Sequence, residues 1–107
     1  MNEQSNCIFC KIIAGELSST KIYEDNDTLA FLTIQPEQPG HTLVIPKKHI
    51  RNIIDCPKDT LDKVFETVQK LTADFIDKGA KAVQVLQNNE KPLQEVFHFH
   101  VHVIPYK

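Results

Sequence analysis

Glycine is scarce in this chain, at three of 107 residues, and proline is modest at six. Those counts exclude collagen-like and low-complexity classes, and a 41% apolar share excludes a disordered chain. No apolar run approaches the roughly 20 residues of a membrane span, so no membrane association is expected. The opening stretch, Met1 to Asn6, is polar and carries an acid, so it does not read as a secretory leader. A basic excess is also missing. Twelve Lys and Arg face fourteen Asp and Glu, a net charge of −2, which disfavours a nucleic-acid partner. Cysteine is too sparse, and odd in number at three, for a disulfide framework. The expectation is a reduced, cytoplasmic protein with one small domain over residues 1–107 and one core.

The elements follow from pattern. Ile8, Phe9, Ile12 and Ile13 have helical spacing and predict a short helix that Gly15 can end. Lys21–Glu24 and Thr28–Ile34 read as strands around an Asp25-Asn26-Asp27 hairpin turn. Residues 35–40 form a loop broken by Pro39-Gly40, and Thr42–Ile45 is a third strand stopped by Pro46. Leu61, Val64, Phe65, Val68, Leu71, Phe75 and Ile76 make one apolar stripe on a 3.6-residue period. Pro57 suits that helix's first turn and Gly79 the position past its end. Residues 82–87 and 96–104 give a fourth and a fifth strand. The class is α+β: an antiparallel sheet with one long and one short helix.

What the chain does have is histidine, five in all, three of them in His98-Phe99-His100-Val101-His102. On a strand, alternate residues share a face, so the three imidazoles align about 7 Å apart. Phe97, Phe99, Val101 and Val103 then point to the core beneath the long helix, and the histidine face is the one the core does not need. Neutral imidazole is a nucleophile, a base and a metal ligand, so neighbouring imidazoles can serve one phosphate. Cys7 and Cys10 have the spacing of half a zinc site. Joined by His49 and His98 they would form a Cys2His2 set that ties the first helix to the sheet. A redox pair, or two thiols simply buried in a small core, stays open at this point. Cys56 reads as an ordinary residue at a helix start, and His41 as a turn or strand-entry residue.

These segments resemble a known family. His98-Phe99-His100-Val101-His102-Val103-Ile104 resembles the histidine-triad motif, with apolar residues between and after the histidines. Cys7 to Ile13, Ala30-Phe31-Leu32, Gly40 to Ile50 and Gln94 to Phe97 are similar to the family's other segments in order and spacing. The resemblance covers nearly the whole chain, and its closest branch is the small Hint-like phosphoramidases. It implies a five-stranded antiparallel sheet that pairs into a ten-stranded sheet in a homodimer. It implies cleavage at the α-phosphate of purine nucleoside phosphoramidates or related conjugates. His100 would be the nucleophile, forming a nucleotidyl-histidine, and His102 would assist the leaving group. Phe9, Ile12, Phe31, Thr33, Asn88, Gln94 and Glu95 would face the nucleotide, and Cys7, Cys10, His49 and His98 would hold structural zinc.

The chain also departs from the pattern. Thr33 stands where the family usually has an Asp that holds the ribose hydroxyls, and a neutral hydroxyl holds them less strongly. The loop Asn88 to Gln94 lacks the family's glycines, including at Leu93. Two alternatives follow: a hydrolase of dinucleoside polyphosphates, or a nucleotide- or partner-binding homodimer with vestigial turnover.

Overall fold

The structure, a computed structural model, describes residues 6–107; apart from Asn6, the polar opening stretch lies outside them. Helix α1 spans Ile8–Ile13 and helix α2 Lys58–Asp77. The strands are β1 Lys21–Glu24, β2 Thr28–Leu32, β3 Thr42–Pro46, β4 Ala82–Leu86 and β5 Val101–Tyr106. All neighbours are antiparallel, in the order β1-β2-β3-β5-β4. This is the expected α+β class. No described helix is long and apolar enough to cross a membrane.

Local chemistry accounts for the meander. Asp25 Oδ1 accepts the backbone N–H groups of Asp27 and Thr28, at 2.8 and 2.9 Å, and so holds the β1–β2 turn. At the β2–β3 corner, Gly40 sits at φ +92°, where a side chain would be strained. Between β3 and α2 the chain makes an unforeseen 3₁₀ turn at Ile53–Asp55, capped by Asn52. Pro57 proves to be the N-cap of α2, one position before its first turn.

Two apolar layers sandwich the sheet. On one face Val64, Val68 and Leu71 of α2 pack on Ala30, Val44, Val101 and Val103, with Phe99 and Ile50 completing the cluster. Each buried Val, Leu, Ile or Phe side chain of this kind contributes about 1.5–3 kcal/mol. Ile76, expected in the stripe, is 46% exposed at the end of α2. On the other face Cys7 and Phe9 pack on Leu29, Phe31, Leu43 and Ile45.

The second layer corrects the sequence reading. The histidine face is not spare surface, since His98 and His100 are 0% and 7% exposed. Nor does one straight strand carry all three histidines. β5 begins at Val101, five residues later than expected, and only His102 lies in it. β4 ends at Leu86, opposite His102, and β3 pairs with β5 only as far as Val101. Residues 97–100 therefore have no ladder to join, and Phe99 N–H donates to Ile50 C=O instead, at 2.6 Å. Phe97, placed in the core by alternation, is half-buried and lines a small recess beside Cys7 and His49. β2 likewise stops at Leu32, opposite Thr42, which leaves Thr33 and Ile34 in the loop.

Candidate active site and metal centre

The strand register sets up the site. Phe31 of β2 pairs with Leu43 of β3, Leu43 with His102 of β5, and His102 with Leu86 of β4. Paired residues share a face, so His102 stands in a row of apolar side chains beneath α1. A cavity of about 1140 Å³ opens over this row. Phe9, Ile12, Phe31, Thr33, Asn88, Glu95, His100 and His102 all line it. Gln94, expected there, does not. It is 3% exposed and fully engaged elsewhere: Nε2–H donates to Arg51 C=O and Val96 C=O, and Oε1 accepts from Glu90 N–H and Asn52 Nδ2–H. Its amide anchors the loop rather than facing the cavity. Thr33 Oγ1 accepts from Gln35 N–H at 3.3 Å.

Hydrogen bonds fix the imidazole tautomers. His100 Nδ1–H donates to His98 C=O at 2.8 Å, which leaves a lone pair on Nε2. Glu37 N–H donates to His41 Nδ1 at 3.0 Å. His41 Nε2 must then carry the proton, which it donates to His102 Nδ1 at 2.9 Å. His102 in turn holds its own proton on Nε2. The His100 and His102 rings lie 5.1 Å apart, closer than flat strand spacing predicts. Phe9 braces His100 edge-on at 5.2 Å. Burial holds the rings neutral. It lowers His100 and His41 below the usual imidazole value, and takes His102, with help from its two histidine neighbours, to about 4.

His41 is a site residue that sequence reasoning took for an ordinary strand-entry position. The signal that finds it is parity with Leu43, which faces the cavity opposite His102, and that parity needs the β3–β5 register. Asn52 was likewise missed. It is 0% exposed and donates to Gln94 Oε1 at 3.1 Å and to Glu90. Through them it ties the 3₁₀ turn to the loop that carries Asn88 and Glu95 to the cavity.

Beside the triad, Cys7, Cys10, His49 and His98 converge, with one donor atom from each all within 4.8 Å of one another. Cys7 Sγ and Cys10 Sγ lie 3.3 and 3.5 Å from His98 Nδ1, and Cys10 Sγ lies 3.2 Å from His49 Nδ1. Tetrahedral zinc, with bonds of about 2.3 Å to sulfur and 2.0–2.1 Å to nitrogen, needs S···N edges of about 3.5 Å. The donor set fits that ion. The outer bonds fit too, because His98 Nε2–H donates to Pro46 C=O at 2.8 Å and turns the Nδ1 lone pair to the thiols. Burial and the neighbouring Cys7 push Cys10 up to about 12, and burial takes His98 down to about 4. Cys56 stands apart, half-buried at the start of α2.

Comparison with known proteins agrees with this geometry. The HIT domain model matches residues 14–107. "Protein hit" of Bacillus subtilis is 46% identical over 107 residues, covering 98% of this chain and 74% of that protein. Adenosine 5'-monophosphoramidase HNT1 of Candida albicans is 40% identical over 113 residues, covering all of this chain and 74% of that enzyme. A crystal structure of a Zn-bound histidine triad family protein from Mycobacterium smegmatis superposes with a TM-score of 0.92 at 34% identity, over 97% of this chain and 77% of that one. A run of imidazoles leading into β5, under a short cysteine-bearing helix, thus occurs in a chain that belongs to the HIT domain family.

Proposed function

We propose that this chain hydrolyses purine nucleoside phosphoramidates at the α-phosphate through a nucleotidyl-histidine on His100. The observation that carries the reading is the opposed pair of tautomers, a lone pair on His100 Nε2 beside an N–H on His102 Nε2. A nucleophile and a hydrogen-bond donor side by side are what in-line displacement at phosphorus needs. His100 Nε2 attacks phosphorus and the P–N bond breaks. The departing nitrogen takes up a proton from solvent while His102 Nε2–H donates a hydrogen bond to it, and it leaves as the amine. Water then attacks phosphorus, the P–Nε2 bond breaks, the nucleoside monophosphate leaves, and the proton lost by the water goes back to solvent. His41 is the positioning residue that holds His102 in its tautomer. The apolar end at Phe9, Ile12 and Phe31 suits a purine ring, Thr33 and Asn88 stand where sugar and phosphate pass, and the exposed Glu95 faces the substrate at the cavity's rim. The phosphoramidase name of the Candida albicans relative supports the same reaction class.

Cys7, Cys10, His49 and His98 would hold zinc. With four protein ligands it would supply structure rather than chemistry. The reading also makes the chain one half of a homodimer. β4 is an edge of the sheet, its Val85 is 43% exposed, and pairing along it with a second copy would give ten continuous strands. The residues form a single domain in a reduced, cytoplasmic setting that keeps all three cysteines out of disulfides.

Single-turnover incubation with a labelled adenosine phosphoramidate tests the mechanism. The wild type should trap a covalent nucleotidyl adduct, and His100→Ala should not. Turnover without any adduct would refute the covalent route.

A further inference from the structure

The cavity wall has an unexpected charge. A site for a phosphate would be expected to carry Lys or Arg, yet neither lines it among the described residues. Apart from its histidines, the only ionisable side chains on the wall among the described residues are the carboxylates of Glu37 and Glu95. Both are exposed, which puts them at the rim, whereas His100 lies on the floor at 7% exposure. Glu37 follows the β2 end of the cavity, and Glu95 stands five residues before His100.

In-line attack decides which part of a substrate meets that rim. With His100 Nε2 on the floor, the bond that breaks points away from it, toward solvent. The purine occupies the apolar end, so the arm of the leaving amine crosses the rim. Resting on the function proposed above, we infer that Glu95 and Glu37 select phosphoramidates by the charge of the leaving amine. The preferred substrates carry a second, cationic group on that amine, such as a diamine or a basic amino acid. The same two carboxylates disfavour leaving groups that are themselves anionic, polyphosphates among them.

The test uses three adenosine phosphoramidates whose amine arms have equal length and end in an ammonium, a methyl or a carboxylate. With two rim carboxylates in screened surroundings, the wild type should turn over the ammonium compound with a kcat/KM about three- to tenfold above the methyl one. The carboxylate compound should fall below both. Raising salt to about 0.5 M should compress the series, and so should the Glu37→Gln/Glu95→Gln double variant. Equal kcat/KM for all three arms at low salt would overturn the inference while leaving the phosphoramidase reading standing. A series that survives both salt and the double variant would overturn it too. Titration calorimetry on the wild type separates the remaining case. Failure of all three to bind would overturn the phosphoramidase reading and this inference together.

Discussion

Replacing Asn52 with Ala should destabilise this protein out of proportion to the size of the residue. Its side chain is 0% exposed and makes three bonds. Nδ2–H groups donate to Gln94 Oε1 and to Glu90, and Oδ1 accepts from Ile54 N–H at 3.0 Å. A neutral bond contributes about 0.5–1.5 kcal/mol net, and one to a charged group about 1.5–3. Glu90 is half exposed, so solvent screening takes its bond to the lower value. The sum is about 3 kcal/mol, against about 5–15 kcal/mol of total stability for a chain of this length. Urea unfolding is the assay. The midpoint should fall by about 1 M or more at unchanged slope. A control at Lys70→Ala, whose i,i+4 pair with Glu66 is exposed on both sides, should move stability by less than about 0.5 kcal/mol. An Asn52→Ala loss below about 1 kcal/mol would refute the argument that this amide welds the 3₁₀ turn to the 87–96 loop. Because that loop also brings Asn88 and Glu95 to the cavity, KM for a phosphoramidate should rise in the same variant.

Three further outcomes follow from the same structure. Gly40→Ala puts a Cβ at φ +92° and 3.0 Å from Pro105 Cγ, and should cost about 1–3 kcal/mol by thermal unfolding; an unchanged Tm would show that the corner relaxes. Burial lowers His41, and lowers His102 to about 4. Between pH 6.5 and about 4 the unfolded chain therefore binds protons that the fold refuses, and stability falls as pH falls through that window. A His102→Gln variant should lose part of this slope, and an identical slope would count against a neutral buried pair. Elemental analysis should find about one zinc per chain, which Cys10→Ala abolishes and chelation removes with a drop in Tm; a metal-free chain with the same Tm would sink the zinc assignment.

The sequence carried whatever depends on short-range pattern. The α2 stripe, the Asp25 turn, the Pro39-Gly40 corner and the Cys7/Cys10 spacing are all local, and each reappears in the structure near where periodicity placed it. The clustering of Cys7, Cys10, His49 and His98 was legible as well, because thiol spacing and two well-placed histidines suffice to suggest it. What failed was whatever depends on which strands meet. Alternation in His98–His102 suggested one long strand, but alternation cannot show that β4 stops at Leu86 and leaves residues 97–100 without a ladder. The same blindness hid His41, whose role exists only once β3 lies beside β5. Gln94 misled for another reason. Its place in a family-like segment said nothing of the backbone carbonyls of Arg51 and Val96 that would claim its amide.

The bond from His41 to His102 spans 61 positions, and the approach of Cys7 to His98 spans 91. Each half of the site has local parts but is completed only by a contact between distant segments. Closing such long loops is slow and entropically costly, whereas the β1–β2–β3 meander and α2 are built from neighbours. A partly folded chain with the meander and α2 in place would hold most of the protein's secondary structure, yet have neither a paired imidazole nor a ligand quartet. The paired imidazoles and the Cys7/His98 approach therefore come together only once β5 is seated between β3 and β4 and α1 has docked on the sheet.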